Sequence, residues 1–468
     1  MRKYIKYKYL AVLFAAGTVL SSCKKELEAQ KPQASLDASI AFTNVASVRA
    51  GLFGVYNSLQ SGNYYGLQYN AFAELGGGNL LHVGTFPTYA QIANNQILTD
   101  NVNISDMYNT IYTGINNANT IIAAIPSITD AALDKDATLA ELRTLRALMY
   151  FDLLRYFGGA PNGYGQAAGV GVSIKTSPTL TESDATPIAR STEAQVYTQI
   201  LADLDFAIAA PTYTNKIVNR AGKDVANAIK SRLQLYRSQW VEAEALATTV
   251  IGSARYSLVS TSNYANIWLA KNSTESIFEL DYNSADQNSI AFYYYTTATG
   301  GRNEISSSNT LNSAHEANDV RKDINFTIGA PNATPAIPAG KTRKFSRIST
   351  GDDNVILFRL AEMYLIRAEA RVRQNTPAKI AEGLSDLNVI RTRAGLLPLV
   401  SVSQTDVLTA ILAERRVELA HEGHRWFDLR RFNLTSTLGI AQTYRALYPI
   451  PQREVLTSGN IIAQNTGY

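Results

Sequence analysis

From Tyr108 to Ala394 apolar residues recur every three or four positions in one segment after another, the spacing of helices that bury a single face. Tyr108, Ile111, Tyr112, Ile115, Ala118 and Ile122 form one stripe, with Ser105 as the expected N-cap. Leu142, Leu145, Met149, Leu153 and Tyr156 form a second, stopped by Gly158-Gly159 and Pro161. A third runs through Val196, Ile200, Leu204, Ala207 and Ile208. It opens on Thr192 and Gln195, the spacing of a capping box, and ends at Pro211. Residues 226–251 read as two helices around Ser238-Gln239-Trp240, and residues 355–373 with 378–394 as another pair. Helix pairs with small residues beside aromatic ones, as Ala243 and Ala247 after Trp240, point to tetratricopeptide-like stacking with irregular spacing. The expected fold is mainly α, with a few short strands. Ser276 to Tyr282 is the clearest strand candidate.

Two stretches break the periodicity. Residues 61–103 and 293–353 carry glycine runs and scattered aromatics, and read as long loops of functional interest.

The N-terminus is basic (Arg2, Lys3, Lys6, Lys8), then apolar from Tyr9 to Leu20, then Leu20-Ser21-Ser22-Cys23. The apolar run is too short for a membrane span and has the layout of an export signal. Cys23 is the only cysteine and stands at the cleavage point, as in a bacterial lipobox, where the cysteine is lipidated. The expected mature chain is exported, lipid-anchored and free of disulfides. The chain has 43 Lys plus Arg against 39 Asp plus Glu, and four of those cations lie in the signal, so the mature protein is formally neutral. Nucleic acid is excluded as a partner, since phosphate binding needs a clustered basic surface.

The densest chemistry is ERRVELAHEGHRWFDLRRF, residues 414–432: nineteen residues with four carboxylates, five arginines and two histidines. His421 and His424 are three apart with a glycine between them, not the four-residue spacing of a zincin helix, and only His82 and His315 remain elsewhere. Glu414 and Glu418 lie one turn apart, but the arginines around them should keep both ionised, the opposite of what a general acid needs. Arg415 falls inside the apolar stripe of Leu408, Ile411, Leu412 and Leu419, so it must be paired in the core. Its expected partners are glutamates one turn away, or Glu362 and Glu369. The stretch reads as internal bracing. There is no GxSxG-type nucleophile, and no catalytic residue, cofactor or metal is expected.

The same residues carry a resemblance. The pattern from Glu414 to Arg430 resembles the signature of the SusD/RagB family, with His424 at a variable position. RALMYFDLLRYFGGAP (146–161), FRLAEMYLIRAEA (358–370), LNVIRTRAGL (387–396) and YPIPQREV (448–455) follow in family order. The resemblance implies residues 1–22 as lipoprotein signal, 23–34 as tether, 35–270 as an N-terminal helical region and 271–468 as the C-terminal RagB/SusD region. It implies a non-catalytic outer-membrane lipoprotein, anchored through Cys23 and facing outward. Such a protein captures a nutrient, mostly a glycan and sometimes a peptide, for a SusC-like TonB-dependent transporter. Family glycan sites are aromatic platforms in variable loops. The candidates here are Tyr64, Tyr65 and Tyr69, then Phe86 and Tyr89, then Tyr293, Tyr294 and Tyr295. Arg302 is suited to hydrogen bonding or to an acidic sugar. The chain has Gly300-Gly301-Arg302-Asn303 where many members place a tryptophan after a glycine, so no flat tryptophan platform is expected there.

Overall fold

The computed structural model describes residues 41–215, 217–329 and 336–468. The expected signal and tether, with Cys23, lie outside them. The fold is mainly α. Helices α1 (Val45–Gln60), α2 (Gln68–Gly76) and α3 (Pro87–Ala93) lead into the long pair α4 (Val102–Ala124) and α5 (Lys135–Phe157). Then come α6 (Glu193–Ala209), α7 (Lys223–Tyr236) and α8 (Trp240–Gly252). The short helix α9 (Ile290–Tyr294) precedes α10 (Leu360–Arg373), α11 (Pro377–Arg393), α12 (Gln404–Glu418) and α13 (Arg425–Arg431).

The long helices stack serially: α1 on α4, α4 on α5, α5 on α6, α6 on α7, α7 on α8, α8 on α10, and α10 on both α11 and α12. Short turns after α7 and α10 force each next helix to pack beside its predecessor. Local chemistry fixes the ends. Thr192 and Gln195 form the expected capping box on α6. On α4 the cap is Asn101 rather than Ser105: its side chain accepts from the amides of Asn103 and Ile104, four residues earlier than the apolar spacing suggested. Two antiparallel two-stranded ladders join distant parts of the chain. β1 (Leu80–His82) pairs with β3 (Ile305–Ser307), and β2 (Ser276–Leu280) with β4 (Val355–Arg359).

The expected long loop over 61–103 is largely folded. It holds α2, β1 and α3, and its rings are recruited into the core. Aromatic residues in short helices bury themselves without leaving a long periodic stripe.

The 414–432 stretch is internal bracing. α12 ends at Glu418, the chain turns through His421 and Gly423 at positive φ, and α13 begins at Arg425. The turn is held by Glu74 of α2, a fully buried carboxylate whose Oε1 accepts from the amides of Gly423, His424 and Arg425 at 3.1, 3.0 and 3.4 Å. Gly423 is needed here, because a Cβ would lie 2.5 Å from Asn70 Oδ1 in addition to the left-handed backbone. Around the turn runs a buried ion lattice. Arg359 reaches Glu275 at 2.8 Å, Glu418 and Glu422; Arg393 reaches Glu275 and Glu418; Arg321 reaches Asp319, Glu414 and Glu418; Lys344 reaches Glu422 at 2.6 Å.

Two expectations are corrected. Arg415 pairs with Asp428 of α13 at 2.9 Å, while Glu362 is held by Arg232 and Glu369 by Arg431. The arginines do hold Glu418 well below the ordinary carboxylate range against the pull of desolvation, but at Glu414 burial wins and its pKa is raised. His421 faces inward: Tyr294 donates its hydroxyl to Nδ1 at 2.9 Å, and Nε2–H donates to the carbonyl of Asn325 at 3.0 Å. Burial lowers its pKa to about 3, so it is a neutral core histidine.

Candidate functional site

The nine candidate binding residues separate into three groups. Tyr64 and Tyr65 are core residues. Their rings stack at 4.4 Å, and with Tyr69 they donate three phenolic hydroxyls to the buried carboxylate of Asp152, which also pairs with Arg155. Desolvation and the Asp152 charge push both phenols well above their usual range. No ring face is left for a ligand, which corrects the expectation for this pair and for Tyr69. Tyr294 and Tyr295 are buried as well, Tyr294 against His421, and the correction extends to them. Tyr293 and Tyr294 are successive residues of α9 and point about 100° apart, and Tyr295 follows in extended backbone beyond the helix end, so the three tyrosines do not share a face.

The remaining four come together. The loop after β1 brings Phe86 and Tyr89 against Tyr293 of α9. Phe86 lies 6.4 Å from Tyr293, and Tyr89 stacks on it at 6.0 Å with an interplanar angle of 12°. Tyr89 is buried, so it underlies the platform rather than forming its surface; that too corrects its expected role. The outer layer is the half-buried Phe86 and Tyr293 with the exposed Phe292, and the Arg302 guanidinium lies 3.8 Å above the Phe86 ring. Among the described residues, the Tyr293 hydroxyl and the two terminal nitrogens of Arg302 have no hydrogen-bond partner.

Sequence reasoning missed the residue that holds this face together. Glu304 is buried, and its carboxylate accepts from His82 Nε2 at 2.8 Å, from the amide of Phe86 at 2.6 Å and from Arg302 Nε at 3.3 Å. Its own amide donates to the Tyr293 carbonyl at 2.8 Å, and its carbonyl accepts from Val83 and Gly84. Gly84 packs directly on the carboxylate, leaving no room for a Cβ. The only hint in the sequence was Glu304's place two residues after Arg302. The ladder that brings it to His82 pairs segments 222 residues apart. Behind β3, Lys341 donates to Asn303 Oδ1 at 2.7 Å and to the Ile305 carbonyl at 3.1 Å, and burial lowers its pKa to about 8.

Chemically the face offers ring surfaces, a free phenol and a fork of N–H donors, which suits stacking on a sugar or a side chain with hydroxyl groups at its edge. It is a face rather than a cavity. Separate hollows of about 470 Å³ (Glu193, Tyr197 and Arg237 among the lining) and 490 Å³ (Ile380, Leu384 and Asn388) include none of its residues.

Comparisons with known proteins agree with this architecture. Residues 270–445 match the family model described as "SusD family", and residues 81–235 the one described as "Starch-binding associating with outer membrane". Over the full length of both chains the sequence is 24% identical to a SusD-like protein of Formosa agariphila. A solved SusD superfamily protein from Bacteroides thetaiotaomicron is similar with a TM-score of 0.77 at 27% identity, covering 90% of this chain and 100% of that one. A structure described as a laminarin-binding SusD-like protein has a TM-score of 0.73 at 26% identity, covering 91% and 100%.

Proposed function

The chain belongs to the SusD/RagB family, and from that premise we propose that it captures a glycan at the cell surface and passes it to a SusC-like TonB-dependent transporter. Capture is non-catalytic. The lipid anchor is Cys23, and the ligand lies across Phe86, Tyr293 and Arg302, with Tyr89 beneath. The observation that carries the reading is the convergence of those four residues, from two distant segments, into one aromatic platform at the surface, half-buried Phe86 and Tyr293 over buried Tyr89. The laminarin-binding relative and the starch-binding description support carbohydrate as the ligand class. The bracing of the 414–432 stretch supports the absence of catalysis, since its carboxylates are committed to arginine and lysine partners.

The test is native electrophoresis through gels containing laminarin, starch or xylan. Retardation by one of them, reduced in Phe86→Ala and Tyr293→Ala variants that remain folded, is the expected result. Exposed apolar side chains nearby, Phe292, Leu81 and Val83, favour a second reading, capture of a peptide. Binding of casein digests with no retardation by any polysaccharide would replace the first reading with the second. The anchor is tested separately: Cys23→Ser should move the protein from membranes to the soluble fraction, and continued membrane partitioning would rule out that anchor.

A further inference from the structure

Resting on the capture reading, we infer that Glu304 is a positioning residue that neutralises the platform and restricts it to uncharged glycans. Three facts carry this. First, one buried carboxylate ties together His82, the Phe86 amide and Arg302, so the ring and the cation of the platform share a single anchor. Second, Arg302 is the platform's cation and its side chain is only 36% exposed; the ring of Phe86 lies beneath it, and its charge is already matched by Glu304. Third, the other nearby cation, Lys341, is buried behind β3 and spends its protons on Asn303 and Ile305.

Glu304 cannot withdraw in favour of a ligand carboxylate. Leaving would strand the Phe86 amide and the His82 ring nitrogen without an acceptor, and Gly84 closes its exit. An acidic sugar or sulfate would therefore meet an arginine already paired, with a like charge directly behind it. A neutral sugar meets no such opposition. Its adjacent hydroxyls can accept from the two terminal Arg302 nitrogens, while its apolar face lies on Phe86 and Tyr293.

The experiment uses the full chain in affinity gels of two kinds, neutral (laminarin, starch, xylan) and acidic (alginate, polygalacturonate), at low and high ionic strength. Wild type should be retarded by a neutral polymer and not by the acidic ones. Glu304→Gln keeps an acceptor for the Phe86 amide and leaves Arg302 uncompensated. It should gain about tenfold in affinity for alginate at low salt, lose that gain at high salt, and lose it again in the Glu304→Gln/Arg302→Gln double variant. Wild-type retardation by acidic polymers, with or without retardation by neutral ones, would overturn the inference while leaving capture intact. So would a folded Glu304→Gln, with unchanged melting temperature, that gains nothing on alginate. Should Glu304→Gln fail to fold, the wild-type comparison of neutral with acidic gels still decides. Retardation by neither kind would instead remove the capture reading on which this one rests.

Discussion

Arg415 Nε donates to Asp428 Oδ2 at 2.9 Å across the turn between α12 and α13, and both side chains are buried. Asp428 also accepts from Arg431, so one carboxylate ties the two arginines to each other and, through Arg431, to Glu369 on α10.

Arg415→Ala leaves Asp428 short of a partner and opens a gap in the core. The expected loss is roughly 3–5 kcal/mol, the usual penalty for removing one member of a buried pair. Urea denaturation measures it, and a loss below about 1 kcal/mol would show that the pair contributes little to bracing.

Gly423→Ala should lower stability by roughly 2 kcal/mol or more, since it combines a left-handed backbone with a Cβ pressed on Asn70. Thermal melts compare it with Gly439→Ala, where φ is also positive but a Cβ would meet nothing within 4 Å. Equal losses in the two variants would mean that the contact with Asn70 is unimportant.

Tyr65→Phe removes one of the three phenols that donate to Asp152, at 2.6 Å. It should cost about 1–2 kcal/mol of stability and leave polysaccharide retardation unchanged. Tyr293→Ala should show the reverse pattern, with about tenfold weaker binding and little change in melting temperature. If Tyr65→Phe were the variant that lost binding, the core tyrosines would have to be reinstated as ligand contacts.

His421 titrates near 3 in the folded protein and near 6.5 when free. Because the folded value is the lower one, the unfolded chain takes up the proton first. The contribution of neutral His421 to stability is therefore complete above about pH 6.5 and is lost as the pH falls toward 3. Between pH 7 and pH 5 that amounts to roughly 2 kcal/mol. In His421→Asn, where asparagine tolerates the positive φ, the drop over this range should be smaller by about that amount, although the variant starts from a lower stability at pH 7. Denaturation curves at the two pH values decide, and equal drops would mean that His421 does not titrate as argued.

The helical scaffold was legible because long amphipathic stripes and caps are local: the capping box at Thr192 and the strand from Ser276 were both readable. The buried arginine was legible too, since Arg415 interrupts an apolar stripe. Its partner was not, because Asp428 comes into reach only through the turn at His421–Gly423. The site was half legible. Composition singled out the aromatic-rich segments, but facing direction depends on short elements. Tyr293 turns outward and Tyr294 inward on the same turn of helix, and nothing in YYY distinguishes them. Glu304 was invisible because its role exists only once β1 meets β3.

That meeting has a consequence for how the protein matures. His82 and Glu304 are 222 residues apart, and closing so long a loop is slow and comes after local helix formation. A chain with only its first half made can form α4 and α5, yet Phe86 then has no Tyr293 to meet. Binding at the proposed face would therefore report that both halves have formed and paired, which makes it a readout of completed folding.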